Sequence, residues 1–282
     1  MGAPSADART LAADDVPADQ LPLALARAHR DLAVGDVLEL SVLTPAGDGQ
    51  PRTATRADGG SRPATGGRGG EPDGRPPLWP RDGLSRVVVG GGFTVESTTV
   101  GPPCGPAVRN LRVRARRERT LPDTIGPGMR LLVCGLNPSL YAADAGVGFA
   151  RPGNRFWPAA LAAGLVSVDR DPLHALVHHG LGMTDLVKRA TVSAAELQVA
   201  EYREGLARVE RLVAWLRPAA VCFVGLAGWR AAVDRRAQPG PQPDGLAGVP
   251  VYLMPSTSGL NARTTPAAHV EHLRRAASLA GR

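Results

Sequence analysis

Residues 130–139 read Arg-Leu-Leu-Val-Cys-Gly-Leu-Asn-Pro-Ser, an apolar run that stops on Gly135 and turns into Leu136, Asn137, Pro138 and Ser139. A run this short and apolar, closed by a turn signal, fits a strand buried on both faces. Two more such runs follow, AAVCFVG over 219–225 and PVYLM over 250–254. Helical patterns separate them. One covers 154–163, and another covers 172–179 and stops at Gly180, a C′ glycine. Ser193-Ala194-Ala195-Glu196 has the form of a capping box and is expected to open a long amphipathic helix. That helix runs through Leu197, Leu206, Val209, Val213 and Leu216 and is stopped by Pro218. Thr265-Pro266, an N-cap followed by proline at N1, starts a last helix. Strands alternating with helices predict an α/β fold, a three-layer α/β/α sandwich around a mainly parallel sheet. The ligand site of such a sheet lies beyond the carboxyl ends of its strands.

N-terminal to this unit the pattern thins, and a partial α/β segment is expected. A helix fits 21–32 and strands fit 36–43, 93–100 and 108–116, with a short helix over 84–89. The strand at 108–116 alternates: Leu111, Val113 and Ala115 point one way, Arg112, Arg114 and Arg116 the other. About three strands are too few for a self-sufficient doubly wound sheet. Residues 44–80 are dominated by Gly, Pro, Arg, Asp and Thr and read as a disordered insertion. LPDTIGPG over 121–128 is a Pro/Gly-rich joint. The expected division is therefore 1–122, a linker over 123–128, and 129–282.

The chain has 282 residues, 43% of them hydrophobic, with a formal net charge of +7. No run of 18 or more apolar residues is present, which argues against a membrane-spanning helix. The first 19 residues lack the basic and apolar regions of a secretory signal, so a cytoplasmic, nucleoid-associated location is expected. Three cysteines, Cys104, Cys134 and Cys222, are too few for a disulfide framework or a zinc ribbon. Lys188 is the only lysine, so nearly all the positive charge is arginine. A GC-rich coding bias and a phosphate-binding surface both account for that.

Two loops carry the unusual motifs. The first is GLNPS over 135–139, running on to GFARPGNRFW over 148–157. The second is MPSTSGLNAR over 254–263. Neither has Walker spacing, metal-ligand spacing or a nucleophile elbow. His174 and His178 stand four apart, but no Cys or carboxylate cluster joins them, and a helix surface is the expected reading. No metal and no cofactor is expected.

With GMTDLVKRAT over 182–191 between them, these motifs resemble, in order, the mismatch-specific uracil-DNA glycosylase and thymine-DNA glycosylase family over about 128–280. GLNPS stands where that family has Gly-Ile-Asn-Pro-Gly. The resemblance implies a base-excision repair hydrolase that flips uracil out of G·U-mismatched duplex DNA, cleaves its N-glycosidic bond and leaves an abasic site. It implies a monofunctional enzyme, since no second lysine is available for Schiff-base chemistry. It also implies double-stranded DNA and downstream abasic-site repair enzymes as partners, and a monomer.

On this resemblance Asn137 is the catalytic residue. An amide is no base, but it can accept a hydrogen bond from water and hold it under the anomeric carbon. The base pocket would be formed by Gly135, Leu136, Pro138, Ser139, Ala142, Gly148, Phe149, Asn154 and Asp185. Phe149 would stack on the base, and core packing is its other reading. Asp185 would accept from uracil N3–H, and a helix or turn cap is the alternative. Backbone N–H groups near Leu136 and Asn137, or Ser139, would stabilise the departing anion. Ser256, Thr257, Ser258, Gly259, Leu260, Asn261 and Arg263 would meet DNA. Leu260 would be either the wedge that fills the vacated stack or an ordinary core leucine. Ser139 in place of glycine and Asp185 in place of Asn or Lys depart from the pattern. A catalytically weak mismatch- or abasic-site-binding protein on the same fold is the rival reading.

Residues 20–122 resemble the C-terminal half of an S-adenosylmethionine-dependent methyltransferase, through ALARAHRDLAVGDVLELSVL, GLSRVVVGGGFTVES and NLRVRARRERTLPD. The Gly-rich loop that would hold the cofactor is absent. Gly90-Gly91-Gly92 lies between a helix and a strand rather than at a helix N-terminus. The segment reads as an inactive relic.

Overall fold

The computed structural model describes residues 8–14, 16–45, 81–104 and 108–281. The described residues form two sheets. The larger has five strands in the order β6-β5-β7-β9-β8. Strands β5 (Leu131–Gly135), β6 (Leu181–Asp185), β7 (Ala220–Val224) and β9 (Val251–Met254) are parallel, and β8 (Gly240–Pro241) closes the edge antiparallel to β9. The two faces of the sheet sort its side chains by parity, as a pleated strand must. Leu132, Cys134, Val221, Phe223, Val251 and Leu253 face α6 (Val199–Leu216) and α7 (Ala227–Ala232). Leu131, Val133, Cys222, Val224, Tyr252 and Met254 face α4 (Phe156–Ala162), α5 (Pro172–His179) and α8 (Pro266–Ser278). This is the three-layer α/β/α arrangement.

The smaller sheet has the order β1-β2-β4-β3. β1 (Ala8–Ala12) runs parallel to β2 (Val37–Pro45), while β4 (Val108–Arg117) is antiparallel to both β2 and β3 (Phe93–Pro103). Leu111, Val113 and Ala115 are buried, and the arginines between them are exposed. Helices α1 (Leu21–Asp31) and α2 (Arg81–Gly90) pack on this sheet, and their apolar side chains join those of α6 in one continuous core. The joint at 121–128 is packed rather than free. Ile125 is buried in that core, and Thr124 exchanges backbone hydrogen bonds with Met183 at 2.8 and 2.9 Å, covering the outer edge of β6.

Several expectations need correction. The smaller sheet has four strands, not three, because β1 adds to its edge. β2 continues through Thr44 and Pro45, which removes those two residues from the proposed insertion; the rest of that segment, 46–80, lies outside the described residues. β6 was not expected as a strand at all. Gly182, Thr184 and Asp185 break its apolar run, and it is buried by its pairing with β5 rather than by its own hydrophobicity. The capping box at 193–196 is present, but it caps a single 3₁₀ turn. The long helix begins later, at Val199, with a second box formed by Gln198 and Glu201, which leaves Leu197 outside it. Gly205 lets this helix lie against the chain after β6, since a Cβ there would meet the Leu186 carbonyl oxygen at 2.0 Å.

Candidate functional site

The parallel strands end at one edge, where the loops after β5, β6 and β9 meet around an open cavity of about 430 Å³. Its walls include Leu136, Asn137, Pro138, Ser139, Ala142, Phe149, Asn154, Asp185, Ser256, Thr257, Ser258 and Leu260. These twelve come from all three motif blocks, so residues more than a hundred positions apart converge on one space.

Asn137 is held by its nitrogen. Its Nδ2 donates to Thr191 Oγ1 at 2.8 Å and faces the carbonyl oxygens of Arg189 and Pro138, each at 3.1 Å. Three acceptors around one end of the amide determine that the other end, Oδ1, is the oxygen. Among the described residues no donor reaches Oδ1, so the acceptor is left for the cavity. Thr191 also locks the loop backbone. Its N–H donates to Pro138 O at 3.1 Å, and its carbonyl accepts from Leu140 N at 3.3 Å. Thr191 also lines the cavity and was not singled out from sequence, although it ends the GMTDLVKRAT block.

Ser139 has an extended backbone (φ −73°), and its Oγ accepts from Ala142 N at 3.1 Å. It therefore caps α3 (Leu140–Ala145), and nothing at this position calls for the conformational freedom of glycine. Phe149 has φ +59°, a left-handed conformation that a non-glycine residue seldom takes. The turn lays one face of its ring on Phe156, with centroids 4.3 Å apart and planes at 21°, while the ring borders the cavity.

Gly135 does not line the cavity; it makes room in the floor. A Cβ there would sit 2.3 Å from Asp185 Oδ1 and 3.4 Å from the Phe149 ring. Gly148 is likewise outside the main cavity. It anchors the loop by accepting from Trp157 Nε1 at 2.8 Å. Asn154 borders the cavity while its Oδ1 accepts from Phe156 N at 3.0 Å, at the start of α4.

The second loop is braced from within and from outside. Asn261 is not a cavity residue: its Nδ2 donates to Ser256 O and Thr264 Oγ1, and its carbonyl accepts from Arg155 Nη1 at 3.0 Å. Gly259 passes so close to Gly153 that a Cβ would lie 2.9 Å from its carbonyl oxygen. The bracing leaves Leu260 at the tip, 85% exposed. The reading of Leu260 as a core leucine is thereby removed. Arg263 is exposed beside it. Arg151, Val192, Ser193 and Ala194 also border the cavity. Arg151 lies within the 148–157 motif and Ser193 and Ala194 within the capping box, but none of the four was named as a site residue.

Two carboxylates lie near the floor, with their pKa values shifted in opposite directions. Asp123 is buried, and burial alone would raise its pKa. Arg208 Nη1 at 2.7 Å and Lys188 Nζ at 2.8 Å outweigh that, with Thr184 Oγ1 at 2.7 Å, and hold it below the ordinary range. Asp185 has no such direct partner. Burial pushes its pKa up to about 6, with Lys188 and Arg208 acting only at a distance. Burial also raises the Cys134 and Cys222 thiols, Cys222 to about 12. The rings of His174 and His178 lie 4.3 Å apart, and among the described residues no group of three or more His, Cys, Asp or Glu could hold a metal ion.

The family model of the uracil DNA glycosylase superfamily matches residues 122–277. The solution NMR structure of a candidate uracil DNA glycosylase from Methanosarcina acetivorans is similar over 57% of this chain and 97% of that one, at 19% identity and a TM-score of 0.36. The matched segment begins at the packed joint and takes in every loop around the cavity, and on that match the chain belongs to the uracil DNA glycosylase superfamily.

Proposed function

We propose that this chain removes uracil from duplex DNA, with a preference for G·U mismatches, by hydrolysis alone. The observation that carries this reading is the Asn137 amide, whose nitrogen is tied to Thr191, Arg189 and Pro138 while its oxygen faces the cavity. A base inside a duplex is out of reach, so the nucleotide must be flipped into the cavity, at a cost of a few kcal/mol that is least at a mismatch. Leu260 fills the vacated stack. The free face of Phe149 receives the base, and Asp185 meets its edge. The bond between uracil N1 and C1′ breaks, and its electron pair leaves with the base. N–H groups of the 136–139 loop favour the anion that forms. Water held at Asn137 Oδ1 adds to the cationic C1′ and releases its proton, which neutralises the departed uracil.

Lys188, the only lysine, is engaged by Asp123 at 2.8 Å, which supports hydrolysis over Schiff-base chemistry. Residues 20–122 take no part in S-adenosylmethionine chemistry on this reading. Incubating wild type and Asn137→Ala with a duplex carrying one central G·U pair, followed by alkaline cleavage of abasic sites, tests the proposal. Wild type is expected to yield product and the variant to be slowed about 10²-fold or more, the scale of lost positioning. Tight binding by wild type without any product on G·U, A·U or single-stranded uracil would replace the enzyme with a binding protein.

A further inference from the structure

A second cavity of about 460 Å³ lies between α1 on one side and the end of α3 and the start of α5 on the other, lined by Arg27, Arg30 and Arg117 from the N-terminal segment and by Asp144, Arg170 and Asp171 across from them. Its charge is not balanced internally. Asp144 is engaged by Arg119 Nε at 2.7 Å, Asp171 caps α5 by accepting from His174 N at 2.8 Å, and Arg170 pairs with Asp169. Arg117 Nε is fixed on the His29 carbonyl at 3.0 Å, which orients its guanidinium without neutralising it. Arg27 and Arg30 stand three apart on α1, on one face of the helix. Among the described residues neither has an ion-pair or hydrogen-bond partner. His29 in the same wall adds no charge at neutral pH, since burial and Arg117 lower its pKa to about 4.

The location matters as much as the charge. α3 has its first turn, at Ser139 and Ala142, on the Asn137 cavity and its last residues on this second one. A six-residue helix is about 9 Å long. A narrow gap bordered by Leu121, Gly146 and Phe149 lies between the two spaces. The cleft therefore opens within a few nucleotide steps of the proposed flipped base, at a rise of about 3.4 Å per step along each strand.

We infer that this cleft binds phosphate groups of the DNA strand flanking the flipped nucleotide, so that the N-terminal segment extends the DNA-binding surface. Exposed, unpaired guanidiniums on a helix face suit a backbone that passes over them, whereas a small-anion subsite would call for buried, fixed donors. The inference rests on duplex DNA being the substrate. It is tested with an Arg27→Ala/Arg30→Ala double variant and an Arg27→Lys/Arg30→Lys control, by measuring the Kd for a G·U duplex between 50 and 200 mM salt. Each lost phosphate contact is expected to lower the slope of log Kd against log salt by about 0.9, so the alanine variant should fall short of wild type by about 1.8. The lysine variant should keep the wild-type slope, and single-turnover cleavage at saturating enzyme should be unchanged in both. A wild-type slope in the alanine variant overturns the inference, and so does inorganic phosphate at fixed ionic strength stabilising wild type but not the variant without any change of slope. Wild type that binds no duplex at all overturns the glycosylase reading with it, whereas wild-type binding with an unaltered slope in the variant overturns this inference alone.

Discussion

The two sheets use arginine–carboxylate pairs in opposite ways. On the smaller sheet Arg114 reaches Glu39 at 3.0 Å and Glu96 at 3.1 Å, and Arg116 also pairs with Glu96, all on a wet face. Against the larger sheet Arg208, Asp123, Lys188 and Thr184 form a cluster sealed between α6 and β6, with Asp123 only 2% exposed. Both sets pair arginine with a carboxylate, but their surroundings differ. Water screens the first set and leaves each pair worth little. In the second set each group depends on the others, because an ion buried without its partner has no solvent to fall back on. The larger sheet can support a precise pocket partly because this cluster ties the joint, β6 and α6 together beneath it.

The largest test of that contrast is Asp123→Ala, which leaves Arg208 and Lys188 buried and unpaired. It is expected to cost about 3–5 kcal/mol in urea unfolding. A loss under about 1 kcal/mol would mean the cluster is no more than a surface network.

Asp185→Asn sharpens the comparison within the larger sheet. In the folded chain Asp185 titrates near pH 6, above the ordinary carboxylate value, so the folded state holds its proton more tightly than the unfolded one. Stability tied to that proton is present at low pH and is lost as the pH rises through about 4 to 6. The asparagine variant escapes this loss. It should be more stable than wild type by roughly 1–3 kcal/mol at pH 7.5, with the gap closing near pH 4, as read from melting curves at the two pH values. A constant gap across that range would assign Asp185 an ordinary pKa.

The smallest effect belongs to the wet face. Arg114→Ala should change stability by less than about 1 kcal/mol, and by less again in high salt. A loss comparable with that of Asp123→Ala would erase the distinction between the sheets.

Much of the larger unit was legible because its strands are local signals. Residues 131–135, 220–224 and 251–254 are uninterrupted apolar runs, and their loops carry the motifs directly after them. Thr265-Pro266 marks a helix start by capping chemistry that acts within three residues. β6 was hidden because a strand with Gly182, Thr184 and Asp185 earns its place only beside β5 and under the Thr124 bridge. Thr191 was hidden because its partner, Asn137, lies 54 positions away.

Short-range chemistry thus sufficed for the α/β class and for the position of the motif loops at one end of the strands, while the grouping of Asn137, Phe149, Asp185 and Leu260 as one candidate set came from the resemblance of those motifs to a known family. Contacts over long separations decided the rest: which end of the Asn137 amide faces the cavity, why Asp123 and Asp185 shift in opposite directions, and why Lys188 is occupied. They also turned Asn261 inward, left Leu260 exposed, and set Arg27 and Arg30 beside a cleft bordered by α3. Hydrogen bonds, burial and fields fall off within a few ångströms, so the chain has to fold before such partners exist for one another.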